Sequence, residues 1–99
     1  MLKRTKIKQL LASETTQDEV LLKGWVKTKR DSKDFSFIEV NDGSCLKNIQ
    51  VIANNTLSNY NDVKKLTTGS SVAIIGALVE SAGGKQKYEV VAKELTIYS

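Results

Sequence analysis

The chain has no histidine, no proline and one cysteine, Cys45, in 99 residues. Without imidazole, Ser–His and Cys–His nucleophile pairs are excluded, as is every zinc site that needs a histidine ligand. A lone thiol cannot close an internal disulfide or build a thiolate cluster, which suits a reducing compartment and leads us to expect a cytoplasmic protein. No apolar run approaches the ~20 residues that a membrane helix requires, so no membrane partner is expected. The start, Met1-Leu2-Lys3-Arg4-Thr5-Lys6, has no apolar stretch behind it and does not read as a secretory signal. Asp31 and Asp34 have no second acidic pair or ligand cluster to hold a metal. Gly83-Gly84 lacks the strand-to-helix setting of a phosphate-binding loop. No catalytic constellation is left, and the expectation is a chain that binds rather than catalyses.

What is present is the composition of an ordinary globular domain, 40% hydrophobic and 26% charged. A domain of this length buries somewhat over ~60% of its unfolded surface, enough for one core without staples. The net charge of +4 is unevenly spread. Residues 1–33 hold nine basic and four acidic side chains, a balance of +5, while residues 34–99 balance at −1. A localised basic stripe is the footprint of a polyanion binder, although so modest a charge also fits a solvated surface.

Hydrophobic spacing predicts the elements. Ile7, Leu10 and Leu11 recur at helical spacing within residues 5–13, with Lys6 and Lys8 on the other face. A long first strand is predicted over 19–30, with Gly24 marking a bulge or sharp bend. A second follows over 35–40, closed by the Asn41-Asp42-Gly43-Ser44 turn, and a third over 47–53. A short helix is predicted over 60–66, then a fourth strand over 70–81, apolar at both parities and so expected to be buried on both sides. Gly83-Gly84 signals a hairpin into a fifth strand over 86–97. Five strands with a helix between the third and fourth is the order of an all-β, five-stranded Greek-key barrel, the OB-fold. An SH3-like barrel is the alternative, but it leaves that helix unexplained. The first 17 residues then form a helical extension, and residues 18–99 the barrel.

Strand alternation sorts the faces. Ile38 and Val40, then Ile49, Val51 and Ala53, then Tyr88, Val90 and Ala92, read as core. Phe35, Phe37, Glu39, Asn48, Gln50 and Glu89 fall on the outer parity. An aromatic turned outward beside a carboxylate suits stacking on a nucleobase, worth ~1–3 kcal/mol per base. The competing readings are that Phe37 packs beneath the arm between the first two strands, or that a bulge flips its parity. Lys23, Lys27 and Lys29 share one parity of the first strand and Arg30 takes the other. Amides and carboxylates pair with base edges, while Lys and Arg meet phosphates. Trp25, next to the bend glycine, reads as packing, and Cys45 as incidental.

The run Gly24-Trp25-Val26-Lys27-Thr28-Lys29-Arg30-Asp31-Ser32-Lys33, followed by Phe35-Ser36-Phe37-Ile38, resembles the anticodon-binding domain of bacterial asparaginyl-tRNA synthetases. The resemblance continues through Asn41-Asp42-Gly43-Ser44, Gln50-Val51-Ile52, Asn54-Asn55 and Leu57-Ser58-Asn59-Tyr60. It closes with Leu66-Thr67-Thr68-Gly69-Ser70-Ser71-Val72 and Gln86-Lys87-Tyr88-Glu89, and so spans about residues 18 to 97. Gly-Trp-Val followed by Arg-Asp is shared with the aspartyl and lysyl enzymes. Arg-Asp-Ser-Lys together with Leu-Thr-Thr-Gly looks specifically asparaginyl.

The resemblance implies an OB-fold that grips the anticodon loop of asparagine tRNA, whose central uridine is common to the asparagine, aspartate and lysine tRNAs. It places the stacking aromatic on Phe37, the amide that reads the uridine on Gln50, and a carboxylate contacting an anticodon base on Glu89. It brings Arg30 to the loop and sets Lys27 and Lys29 where cations meet the loop's backbone. Family members continue into a class II catalytic domain that binds ATP, Mg2+ and the amino acid, and none of that is in this sequence. Ser99 falls about where the family's linker begins, so the chain reads as an isolated anticodon-binding domain with no cofactor of its own. The catalytic domain is then its partner in cis, and homodimerisation belongs to the full-length enzyme, with this domain a monomer or weak associate. Two rival readings remain, a general single-strand nucleic-acid binder and a structural or dimer-forming module.

Overall fold

The computed structural model describes residues 2–82 and 86–98. Seven elements follow in order: helix α1 (Ile7–Leu11), strands β1 (Gln17–Asp31), β2 (Phe35–Asn41) and β3 (Ile49–Asn54), helix α2 (Tyr60–Val63), and strands β4 (Ser71–Glu80) and β5 (Tyr88–Ile97). The strands close into a barrel in the order β1-β2-β3-β5-β4. Pairing is antiparallel except between β3 and β5, where Val51 lies opposite Val90 and Ile52 opposite Val91. Closure leaves the sheet without an open edge. This is the expected five-stranded barrel, with α2 between the third and fourth strands. The predicted hairpin at Gly83-Gly84 lies outside the described residues. Among the described residues, no helix is long and apolar enough to cross a membrane.

The core follows from alternation. Ile38, Val40, Ile49, Val51, Ala53, Tyr88, Val90 and Ala92 are all buried, as their parity predicts. Ile7 and Leu10 of α1 are fully buried in the same cluster, so α1 covers part of the barrel interior. The fourth strand differs from expectation. Val72, Ala73, Ile74, Gly76 and Leu78 are buried, but Ile75, Ala77 and Val79 stay partly exposed because, among the described residues, no layer covers the outside of β4.

Strand β1 reaches both neighbours by bending. Its first half pairs with β4 and its second half with β2, and Trp25 sits opposite both Asn41 and Ser71. At Gly24 a side chain would overlap the Asn41 carbonyl, so glycine serves close backbone approach there. The bulge itself lies further on, where the β1–β2 register slips between Val26 and Thr28. This corrects the reading of the first strand. An inserted residue flips every later side chain to the other face. Val26, before the bulge, keeps the core parity of Val20 and Leu22; Lys27 and Thr28 are both exposed, and beyond them Arg30 rather than Lys29 shares the outer face with Phe37.

The turn after β2 holds α1 in place. Asp42 Oδ2 accepts the Ile7 amide at 2.9 Å, and Ser44 Oγ accepts the Lys8 amide at 3.0 Å. Asp42 Oδ1 also accepts from the Ser44 amide at 2.9 Å and the Ser44 hydroxyl at 2.6 Å. Desolvation pushes the Asp42 carboxyl up, but the hydrogen bonds from Ser44 and Ile7 and the charge of Arg4 outweigh it and hold it below its ordinary range. A carboxylate favoured by folding stabilises the protein above its unfolded pKa, and that contribution fades as pH falls through the lower folded value. We expect Asp42→Asn to cost about 1.5–3 kcal/mol at neutral pH, the scale of hydrogen bonds to a charged group. In urea titrations the gap to the parent should close as pH drops below about 4. A gap that is constant with pH would contradict this account. Gly24→Ala should cost about 2–3 kcal/mol through overpacking, read as a lower urea midpoint at unchanged slope.

Candidate nucleic-acid interface

An open groove of about 540 Å³ crosses the outer face of the barrel, lined by Arg30, Phe35, Phe37, Gln50, Ile52, Asn54, Ser81, Ala82 and Glu89. Cross-strand register builds it. Arg30 of β1 lies opposite Phe37 of β2, Phe37 opposite Ile52 of β3, and Glu89 of β5 opposite Val79 of β4. Four of the residues singled out from sequence, Arg30, Phe37, Gln50 and Glu89, come together here.

Phe37 is half-buried. The edge-to-face contact with Phe35, with ring centroids 4.9 Å apart at 86°, fixes its plane. The Arg30 guanidinium lies over the ring, 4.8 Å from the centroid, in a cation–π arrangement. Neither packing under the β1–β2 arm nor flipped parity describes this ring. It lies outward, held by an aromatic at its edge and a cation on its face.

Gln50 and Glu89 form the polar side of the groove. Gln50 Nε2 donates to Glu89 Oε1 at 3.1 Å. A carboxylate only accepts, so this contact requires the amide nitrogen to face Glu89 and leaves the amide oxygen turned elsewhere. Among the described residues, Gln50 Oε1 has no hydrogen-bond partner, and the second Nε2 hydrogen has none either. Glu89 is 8% exposed although it sits on the outer face. The groove therefore offers one aromatic surface, one oriented amide, one largely covered carboxylate and one cation.

The two lysines lie elsewhere. Lys29 Nζ bonds both Asp31 oxygens at 3.0 Å and the Lys64 carbonyl at 2.8 Å, tying β1 to the end of α2. Asp31 also accepts from the buried Ser36 hydroxyl at 2.6 Å, and Ser36 Oγ is 3.0 Å from Tyr60 Oη. The hydrogen bonds from Ser36, then Lys29, hold the Asp31 carboxyl below its ordinary range. Lys29 thus turns towards α2 because the bulge reversed its parity. Lys27 is exposed on the outer surface of β1, outside the groove lining.

Sequence reasoning missed several lining residues. Ile52 and Asn54 share the outward parity of Gln50, so the same alternation contains them. Ser81 and Ala82 reach the groove only because β4 ends beside the start of β5, which no local pattern signals.

A closed five-stranded Greek-key barrel whose β2–β3 face carries an aromatic platform beside polar groups is the architecture of an oligonucleotide-binding OB-fold. Residues 20–98 match the tRNA anti-codon family, described as an OB-fold nucleic acid binding domain, and the chain belongs to that family. It is 50% identical over 96 residues to the asparagine–tRNA ligase of Oleidesulfovibrio alaskensis, covering 97% of this chain and 21% of that protein. It is 47% identical over 94 residues to the same ligase of Geotalea uraniireducens, covering 95% of this chain and 20% of that protein. The chain spans about a fifth of the length of these curated relatives. The asparaginyl-tRNA synthetase of Pyrococcus horikoshii has the same fold, with a TM-score of 0.80 at 24% identity over 98% of this chain and 23% of that one.

The Glu89 carboxylate should slow hydrogen exchange of the Gln50 side-chain amide. In Glu89→Ala we expect the Gln50 side-chain NH2 signals to move and exchange at the rate of an exposed amide, read by NMR. Unchanged signals would remove Glu89 as the group that orients Gln50.

Proposed function

We propose that the chain binds the anticodon loop of asparagine tRNA and serves as the substrate-selecting module of an asparagine–tRNA ligase. The single observation that carries this reading is the Gln50 amide held by Glu89 in the same groove as Phe37. Identity to asparagine–tRNA ligases over nearly the whole chain supports the choice of tRNA. In the bound state an unstacked loop base lies against Phe37, and its Watson–Crick edge meets Gln50. The outward Oε1 accepts from an N–H donor and the remaining Nε2 hydrogen donates to a carbonyl. Uracil offers that pair of groups, N3–H beside O4. Cytosine places an acceptor at N3 and an amino group at C4, so the same amide is mismatched twice. In this reading Arg30, beside Phe37 in the groove, offers its guanidinium to a phosphate of the loop, and Lys27 adds a second cation along β1.

Aminoacylation then belongs to a catalytic domain in cis, which would supply ATP and Mg2+ binding and the dimer contacts. This chain's part is recognition, in the cytoplasm, with no chemistry of its own. The test is titration with an asparagine anticodon stem-loop and with a variant carrying cytidine at the central position. The reading requires weaker binding of the cytidine variant, and equal affinities would overturn it in favour of a general single-strand binder. Phe37→Ala should lose about 1–3 kcal/mol of binding while the fold persists, the scale of one base–aromatic stack.

A further inference from the structure

Arg30 meets Phe37 only because β1 joins the β2 ladder in one register. Beyond the bulge, four residues of β1, Thr28 to Asp31, pair with β2. A slip by one residue would turn Arg30 away from the groove and bring Lys29 out in its place. So short a ladder is weak protection against that slip, because strand ends are where pairing frays.

Side chains behind the hairpin add the missing constraint. Asp31 lies opposite Ser36, one rung beyond Arg30 and Phe37. Ser36 is fully buried, and its hydroxyl donates to Asp31 Oδ1 at 2.6 Å. A hydroxyl has one hydrogen to give, so the Tyr60 hydroxyl is the donor in its 3.0 Å contact with Ser36 Oγ. The Lys29 side chain, 11% exposed, places its ammonium between Asp31 and the Lys64 carbonyl. Tyr60 opens α2 and Lys64 caps it, four residues apart and so on one helix face. Helix α2 is anchored separately, through the fully buried Val63 and through Asn59 Nδ2, which donates to the Leu95 carbonyl of β5 at 2.8 Å. The hairpin is therefore tied to a fixed element, yet none of the described residues that line the groove belongs to α2.

We propose that Asp31, Ser36 and Tyr60 are positioning residues for the groove, whose hydrogen-bonded chain locks the β1–β2 register and keeps the Arg30 guanidinium over Phe37. This role rests on the reading of the groove as a loop-binding site, and it makes base binding depend on a helix outside that groove. A one-residue slip carries Asp31 to the other face, so its bond to Ser36 exists in this register alone. The hydroxyl hydrogens of Tyr60 and Ser36 each have one acceptor, which leaves the chain a single arrangement.

The first readout needs no RNA. An aromatic ring shifts the NMR signals of protons above its face upfield, so the Arg30 side-chain signals report how closely the guanidinium lies over Phe37. Phe37→Ala supplies the unshifted reference. In Ser36→Ala we expect these signals to move most of the way to that reference, and in Tyr60→Phe to move the same way by less. Tyr60→Phe keeps the ring that packs on the core, so it decides the matter alone if Ser36→Ala does not fold. Asp42→Asn, which weakens the far end of β2, should leave the Arg30 signals in place. The second readout is affinity for the asparagine anticodon stem-loop. Ser36→Ala should bind about three- to tenfold more weakly, the cost of ordering one long side chain on binding. In an Arg30→Ala background the same substitution should add less than about twofold, because the side chain it positions is gone. Arg30 signals unmoved in both hairpin variants, or moved equally by Asp42→Asn, would overturn the proposal, as would a Ser36→Ala loss that persists in full without Arg30. If the parent protein does not discriminate uridine from cytidine, the loop reading fails, while the Arg30 signals still decide the positioning role.

Discussion

Strand β1 bonds to β4 along its first half and to β2 along its second, and the barrel closes only if one continuous strand makes that change. Two local devices accomplish it. Gly24 lets the β1 backbone pass against the Asn41 carbonyl without a side chain in the way. The bulge between Val26 and Thr28 then adds the residue that re-aims the strand along β2. The same inserted residue reverses parity for the part of β1 after it, so the path of the strand and the chemistry of its outer face are linked. Arg30 lies over Phe37 because of it, and Lys29 is spent on Asp31 and the Lys64 carbonyl.

The groove depends on groups that hold one another in fixed orientations. Phe35 sets the plane of Phe37 through an edge contact, and Glu89 sets the amide of Gln50 through a hydrogen bond. Side chains already ordered lose less freedom when a ligand binds. The cations divide by the same logic. Lys29 is neutralised locally and acts structurally, while Arg30, Lys27 and Lys23 remain on the surface where a polyanion can reach them. The charge imbalance of the first third of the chain is therefore concentrated along β1 and α1.

Helix α1 has only five residues and would not be stable alone, since helices this short are marginal in water. Ile7 and Leu10 anchor it in the barrel core, and Asp42 and Ser44 accept its first amides. The arrangement makes one partly buried carboxylate, with the Ser44 hydroxyl that it also holds, join the N-terminal segment to the β2–β3 turn. It also makes that junction sensitive to acid, because protonation removes the charge that the surrounding donors stabilise.

Much of this was legible in the residues themselves. Alternation along β2, β3 and β5 places Ile38, Val51 and Val90 inside and Phe37, Gln50 and Glu89 outside, because a strand of period two admits only two faces. Turn residues and helical spacing locate the elements to within a few positions, and their order identifies the barrel. Two matters lay beyond reach. The bulge between Val26 and Thr28 carries no local signal, so parity read straight through β1 sends Lys29 outward and misses its bond to the end of α2. Groove residues from the β4 end, Ser81 and Ala82, meet Phe37 only after closure brings distant strands side by side. The sequence by itself determined which residues were inside and outside within each regular strand, since that follows from backbone geometry alone. The tertiary structure decided which outward residues meet, because register and bulges are set by closing the whole barrel at once.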